Sequence, residues 1–163
     1  MAAMDPENLT RLMADFGPRL LLYASTFTRL GADAVQEVFV DLSLRQSPPD
    51  NLSAWLFGAT RKRALHWART ENRLANRQRQ SSRPEAIPPS TAPDSKLDAE
   101  NALAILDPAM REIVVARLWG DLNFDEVGKL VGVSAATAWR RYEEALALLR
   151  HRLAGDTQGG KTA

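Results

Sequence analysis

The sequence contains no cysteine, and this absence excludes several classes of protein at once. Without thiols there is no disulfide framework, no thiolate metal site and no cysteine nucleophile. Histidine is scarce as well: His66 and His151 are the only two, and they lie in unrelated segments. A metal site needs several such ligands close together. The sequence therefore predicts neither a bound metal nor a cofactor.

Long hydrophobic runs are also missing. No apolar run approaches the roughly 20 residues that cross a bilayer, and the N-terminal segment carries acids where a secretory signal is basic and then apolar. Of the 163 residues, 45% are hydrophobic and 25% charged, values typical of a soluble folded protein. We therefore expect a cytoplasmic protein without membrane insertion.

Enzyme motifs are missing too. The chain has no glycine-rich phosphate loop, no nucleophile–base pair and no paired carboxylates in an apolar pattern. A binding protein is predicted rather than an enzyme.

The alternation typical of β-strands does not occur, whereas helical spacing recurs throughout. Apolar residues at intervals of three and four predict a first helix with the stripe Leu9, Leu12, Met13, Phe16, Leu20 and Tyr23. A second stripe follows Gly31 and consists of Val35, Val38, Phe39 and Leu42. After the turn SPPDN, Ser53 is placed to cap a third helix with the apolar face Trp55, Leu56, Ala59, Ala64, Leu65 and Trp67. The predicted fold class is all-α.

Prolines divide the chain. Residues 81–97 contain Pro84, Pro88, Pro89 and Pro93 among small polar residues, which excludes a continuous helix and predicts an extended linker. We therefore predict two small helical domains, residues 1–80 and 98–154, joined by this Pro-rich linker. The polar, glycine-rich residues 155–163 are expected to form a disordered tail.

Charge is distributed unevenly, although the net charge is only +1. Residues 61–83 carry arginine or lysine at eight positions and a single acid, Glu71. Acids concentrate elsewhere, as in Asp33, Glu37 and Asp41. A basic block apart from acidic surfaces suggests a polyanion partner on one side and a protein partner on another. The alternative is an ordinary solvated helix face.

Residues 123–150, NFDEVGKLVGVSAATAWRRYEEALALLR, have the pattern of a helix-turn-helix. Asn123 and Glu126 have the spacing of a capping box, Gly132 is suited to end the first helix, and Ser134 is suited to cap the second. The small residues Gly128 and Ala138 permit close crossing of the two helices. In the second helix, the side expected to face the core consists of Ala138, Tyr142, Ala145 and Leu149.

The opposite side of that second helix favours DNA binding over a plain helical hairpin. It exposes Ala135, Ala136, Trp139, Arg140 and Glu143, with Arg141 at its edge. Small residues allow close approach to a major groove, and arginines there reach phosphates or guanine edges.

Together, the two halves resemble the extracytoplasmic-function (ECF) sigma factors of bacterial RNA polymerase. DAVQEVFVDL (residues 33–42) resembles the region 2 signature D-x-x-Q-E-x-F, and NLSAWLFGATRKRAL (residues 51–65) follows it as in that family. Residues 107–146 resemble sigma region 4. The resemblance extends from about Leu9 to about Leu153. It implies a region 2 domain, a linker and a region 4 domain.

For the first domain, the resemblance implies two surfaces. A docking surface for core RNA polymerase would consist of Asp33, Gln36, Glu37 and Asp41, while Val35, Val38 and Phe39 pack inward. A surface for the −10 promoter element would consist of Asn51, which helps to line a pocket for a flipped base, and of Arg61, Lys62, Arg63, His66 and Arg69, which hold the melted strand. Trp67 is the preferred candidate for base stacking, Trp55 is expected in the core, and Phe57 is left open.

For the second domain, the resemblance implies that the recognition helix enters the major groove of the −35 element. The implied DNA contacts are Ser134, Ala136, Thr137, Trp139, Arg140 and Arg141, with Arg140 assigned to a base and Arg141 to the backbone. Glu112 and Arg117 are candidates for contact with the polymerase flap. An anti-sigma factor is a common further partner in the family.

The sequence departs from the family pattern in both reading surfaces. Ser43 stands where many members have tryptophan, Lys62 where asparagine is frequent, and His66 where aspartate is. Trp139 occupies a recognition-helix position that is commonly polar. Promoter preference therefore does not transfer from relatives. The other interpretation, a free-standing helix-turn-helix regulator, predicts tight duplex binding without polymerase.

Overall fold

The structure, a computed structural model, describes residues 4–79 and 94–159, with side chains for 4–79 and 99–155. All regular structure in these residues is helical, which confirms the predicted all-α class. The helices are α1 (Pro6–Ala24), α2 (Gly31–Ser43), α3 (Leu52–Arg79), α4 (Asp94–Ala104), α5 (Pro108–Leu118), α6 (Phe124–Val131) and α7 (Ala135–Gly159). They belong to two compact units, Met1–Thr91 and Ala92–Ala163. Within the described ranges, no helix combines the length and apolar character that membrane crossing demands.

In the first unit, α1, α2 and α3 pack against one another in all three pairs. The centre of the core is aromatic: the ring of Tyr23 lies 5.0 Å from Phe57 and 5.4 Å from Phe27, measured between centroids. Leu20, Val38, Leu42 and Leu56 are fully buried around these rings. The inward side of α2 is as predicted, because Val35, Val38 and Phe39 are all buried.

The buried part of α1 is shorter than its predicted stripe. Leu20 and Tyr23 are fully buried, but Leu9, Leu12 and Phe16 are only half-buried and Met13 is 45% exposed. At 19 residues, α1 extends about 9 Å further than the 13-residue α2. The N-terminal half of α1 therefore extends beyond α2, and its apolar side chains are only partly buried.

The start of α3 differs from the prediction in two respects. The helix begins at Leu52, and Asn51 caps it: the N–H of Ala54 donates to Asn51 Oδ1 at 3.1 Å. The predicted cap, Ser53, lies inside the first turn. In addition, Phe57 is fully buried whereas Trp55 is half-buried under the guanidinium of Arg45, 5.2 Å from its ring. The inward stripe is Leu56, Phe57, Thr60 and Ala64; the polar Thr60 obscures it in the sequence.

Glu71 has a structural role. Its Oε1 accepts hydrogen bonds from the Thr28 hydroxyl at 2.6 Å and from the backbone N–H groups of Arg29 and Leu30 at 2.8 and 3.0 Å. Leu30 is the N-cap of α2 and has no side-chain oxygen of its own. A carboxylate from α3 therefore caps the N-terminus of α2, where unsatisfied N–H groups favour negative charge.

In the second unit, α5, α6 and α7 pack around a core of Ile113, Val114, Val115, Leu122, Val127, Ala138 and Ala145. Arg111 of α5 is hydrogen-bonded to the C-terminal end of α4 and to the turn after it. Its side chain donates to the carbonyls of Leu103 and Leu106, both at 3.0 Å.

The ends of this unit differ from the predicted boundaries. Helix α4 begins at Asp94, inside the predicted linker, because a proline directly before the first helical residue does not obstruct a helix. Residues 81–93 of that linker lie outside the described residues. Helix α7 continues to Gly159, into the predicted disordered tail, since one glycine inside a helix costs only about 1 kcal/mol. Residues 160–163 are again outside the described part.

Candidate nucleic-acid interface

The turn between α6 and α7 has the geometry that its sequence predicts. Glu126 N–H donates to Asn123 Oδ1 at 2.9 Å and Asn123 N–H donates to Glu126 Oε2 at 3.1 Å, so the capping box is confirmed. Gly132 ends α6 with φ 80°, a left-handed conformation that favours glycine. A Cβ on Gly128 would lie 2.6 Å from the Val133 carbonyl oxygen. Only a glycine fits this close approach of helix and turn.

Hydrogen bonds organise the first turn of α7. Ser134 Oγ accepts from the Thr137 N–H at 3.1 Å, as predicted for a cap, and donates to Thr137 Oγ1 at 2.9 Å. Arg140 reaches back one turn, with its Nη2 3.3 Å from Thr137 Oγ1. These bonds hold the first polar side chains of α7 close to its N-terminus.

The outer face of α7 is open. Ala136, Arg140 and Glu143 are exposed, and Trp139 is 53% exposed. Arg141 is half-buried, in agreement with its predicted place at the edge of this face. On the inner side Ala138 and Ala145 are fully buried, and Tyr142 packs on Phe124 with ring centroids 5.4 Å apart. The second unit thus exposes small residues and arginines on the outer face of α7, while the inner face of the same helix is packed against the core.

In the first unit, the predicted docking residues share the outer side of α2. Asp33 and Gln36 are exposed, and Glu37 and Asp41 are partly exposed. A hollow of about 330 Å³ lies along this side, lined by Asp33, Gln36, Glu37, Val40, Asp41, Arg63 and Trp67. Val40, half of whose surface is exposed, gives it an apolar portion.

Arg63 lies on this acidic side of the unit. Its Nη2 is 2.6 Å from Asp41 Oδ2, and its Nη1 is 3.4 Å from Glu37 Oε2. The hydrogen bond from Arg63 to Asp41, with the negative charges of Asp41 and Glu37, raises the pKa of Arg63 above its ordinary value and outweighs the lowering by desolvation. The structure therefore separates Arg63 from the basic residues with which the sequence groups it. Trp67, the preferred stacking candidate, borders the same hollow.

Four of the other basic residues of α3 form a row on its open face. Lys62, His66 and Arg69 are all exposed at helical spacing, and Arg73 extends the row by another turn. From Lys62 to Arg73 the row is about 16 Å long. Arg73 is an addition to the predicted set. The signal that identifies it is the spacing i, i+4, i+7, i+11 within the basic block.

The two other predicted −10 residues lie apart from this row. Arg61 is half-buried, with its guanidinium 5.9 Å from the Phe27 ring. Asn51 is exposed, but its side-chain oxygen caps α3. A hollow of about 540 Å³ lies beside the α2–α3 loop and is lined by Arg45, Gln46, Ser47, Pro48 and Leu52, by residues of α1 and α2, and by Met4 and Asp5 just before α1. Asn51 does not line it.

Residues 102–151 match the family model described as "Sigma-70, region 4". The second unit therefore contains a sigma-70 region 4 domain. The match covers α5, α6 and the part of α7 that bears the exposed face, so the predicted DNA contacts of this unit all lie within the matched residues.

Two solved structures have a similar fold. The sigma factor RpoE of Bartonella quintana, in complex with the anti-sigma factor NepR, is 20% identical over 91% of this chain and 98% of its own, with a TM-score of 0.68. CnrH, in complex with the cytosolic domain of CnrY, is 23% identical over 94% of this chain and 92% of its own, with a TM-score of 0.59. These likenesses show a shared fold. A search of curated proteins gave no significant match.

Within region 4, the suggested flap contacts do not have the exposure that such a role needs. Glu112 is only 5% exposed, because it belongs to a run of five consecutive buried residues in the middle of α5. Arg117 is half-buried, and its guanidinium lies 5.2 Å from the Phe124 ring. The structure therefore contradicts the prediction for Glu112. The pattern of buried positions in α5, five in succession, is too dense to be read as a one-sided stripe.

Proposed function

We propose that this protein is a sigma factor of the ECF type, a dissociable subunit that directs bacterial RNA polymerase to promoters and opens them. The observation that carries the proposal is the region 4 domain with an exposed recognition face on α7. The fold shared with the sigma factor RpoE over nearly the whole chain supports it.

Helix α7 is the proposed reader of the −35 element. Its first turns expose Ala136 and Arg140. The small side chain of Ala136 allows close approach to a major groove, and the guanidinium of Arg140 can contact guanine or phosphate. Ser134 and Thr137 are hydrogen-bonded to each other at the start of α7, and the positive end of the helix dipole there favours a phosphate nearby. Arg141, at the edge of the face, is the proposed contact to the DNA backbone.

The open row on α3 is the proposed track for the melted −10 strand. Lys62, His66, Arg69 and Arg73 point away from the core, as binding to a phosphate backbone requires. The 540 Å³ hollow beside the α2–α3 loop is of the size that small ligands occupy, and it is the proposed site for an unstacked base. Asn51 then acts chiefly by fixing the start of α3.

The acidic side of α2 is the proposed docking surface for core polymerase. Asp33, Gln36, Glu37 and Asp41 line one hollow, and we assign Arg63 to this surface instead of the DNA track. Arg63 pairs with Glu37 and Asp41 and restricts the orientations of their side chains before a partner binds. Less side-chain entropy is then lost when a basic partner docks. An anti-sigma factor, of the kind seen with RpoE, would compete for surfaces such as this.

Reconstitution with bacterial core polymerase tests the proposal. Purified protein is mixed with core enzyme, co-elution is measured, and promoter-length duplexes are selected from a random pool with and without core. We expect co-elution, and selection of two conserved blocks only when core is present, because each unit alone makes a weak contact and tethering multiplies the two. Selective duplex binding without core, and no co-elution, would leave the free-standing regulator as the correct interpretation.

A further inference from the structure

Trp139 is a large apolar side chain in an exposed position. It lies in the second turn of α7, within the region 4 match, and 53% of its surface is open. The inward positions of the same helix are already filled, since Ala138 and Ala145 are fully buried. The Trp139 ring lies outside this buried side, so it is open to contact with a partner.

The neighbours of Trp139 leave its ring accessible. Ala136, one turn earlier, is exposed and has only a methyl group, and Arg140 is drawn back toward Thr137. In the described part of the chain, none of the aromatic or cation–ring contacts involves Trp139. A base edge can therefore reach the indole once the start of α7 enters a groove.

The chemistry of the indole selects among the four bases. Indole has an apolar ring and one hydrogen-bond donor, Nε1–H, with no acceptor. In the major groove only thymine presents an apolar group, the C5 methyl, next to an acceptor, O4. Guanine offers acceptors without a methyl group, adenine pairs an acceptor with a donor, and cytosine offers a donor. Thymine alone complements both features of the side chain.

We propose that Trp139 selects thymine at one position of the upstream promoter element. The indole ring packs on the C5 methyl, and Nε1–H donates to O4. This inference rests on the proposed function, because it needs α7 in a major groove.

The experiment uses the full-length protein bound to core polymerase and the upstream block that it selects. Each thymine of the block is replaced, one at a time, by deoxyuridine, which lacks the methyl group and keeps O4. We expect one position at which the wild-type affinity falls about fourfold, the effect of one buried methyl group. Trp139→Ala should bind the thymine and deoxyuridine forms equally. Leu148→Ala, a matched control at a 47% exposed position of the same helix, should keep the wild-type difference.

A second substitution tests the hydrogen bond. At the sensitive position, 5-methylcytosine paired with guanine keeps the methyl group but replaces O4 with an amino donor. Wild type should prefer thymine to 5-methylcytosine. Trp139→Phe, which keeps an aromatic ring and loses the N–H, should retain the deoxyuridine effect and lose most of that preference.

The outcomes separate this inference from the proposed function. Selection of two blocks with core, but no deoxyuridine effect at any upstream thymine or no thymine in the block, overturns the role of Trp139 and leaves the sigma factor proposal intact. Failure to select two blocks with core overturns both.

Discussion

Glu71 illustrates how little a residue's neighbours in sequence reveal about its role. It lies in the basic block, yet its carboxylate accepts from Thr28, Arg29 and Leu30 and caps the start of α2. Its partners are more than 40 residues away. The sequence contains no signal for this contact, because Leu30 gives no indication that its helix needs a cap from elsewhere.

Glu71→Ala is expected to destabilise the first unit by about 2 kcal/mol, because it leaves two N–H groups and a hydroxyl without their charged acceptor. Chemical unfolding of the full chain, followed by far-UV circular dichroism, measures the loss. Arg69→Ala, two positions earlier on the open face, is the control and should stay within about 0.5 kcal/mol of wild type. Equal effects of the two changes would contradict the capping role.

Arg63 is the second residue whose role depends on tertiary contacts. Arg63→Ala should weaken binding to core polymerase about two- to fivefold, the range of an exposed ion pair, because Glu37 and Asp41 lose the cation that orients them. Binding of the holoenzyme to single-stranded −10 DNA should not change.

Arg69→Ala is the opposite case and should weaken single-strand binding without an effect on core. Titration of labelled core and of a labelled oligonucleotide separates the two quantities. If Arg63→Ala mainly impaired single-strand binding, Arg63 would belong to the DNA track after all.

At the scale of the element, the helix-turn-helix is the part that the sequence predicts best. The capping box, the end of α6 at Gly132 and the cap at Ser134 all occur as predicted, because each depends on residues within one or two turns. The buried stripe of α3 is predicted less well. Its correct register depends on the polar Thr60 and on which side α1 and α2 cover, and neither is a local property.

Gly128→Ala should destabilise region 4 by about 1–3 kcal/mol, since the new Cβ meets backbone at 2.6 Å and the turn must shift. Gly155→Ala, in α7, meets open space and should instead stabilise the helix by up to about 1 kcal/mol. Thermal unfolding of both variants gives the comparison. A neutral Gly128→Ala would show that the turn relaxes at no cost.

At the scale of the whole molecule, two cationic surfaces on separate units predict a steep dependence of promoter binding on salt. Each phosphate contact with a single strand contributes about 0.7 to the slope of log affinity against log salt concentration. The double variant Arg69→Ala and Arg73→Ala should lower that slope by about 1.4 for the holoenzyme on single-stranded −10 DNA.

The same measurement with duplex −35 DNA serves as the control, and its slope should not change. An unaltered slope on the single strand would exclude the α3 row as the track. The location of this row could not be predicted from the sequence, unlike the helix-turn-helix. The sequence identifies only a basic block. Which of its residues pair with α2, as Arg63 does, and which stay on the open face, as Lys62, Arg69 and Arg73 do, depends on where α2 packs.

Helix α3 is continuous over 28 residues, about 42 Å, and it carries both Arg63 on its acidic side and the row from Lys62 to Arg73 on its open side. No joint separates the two surfaces. Under the proposed function, the melted strand and the polymerase bind to neighbouring faces of this one rigid helix. The distance between the docking surface and the bound strand is therefore constant. Docking on the polymerase then determines where along the promoter the opened bases are held.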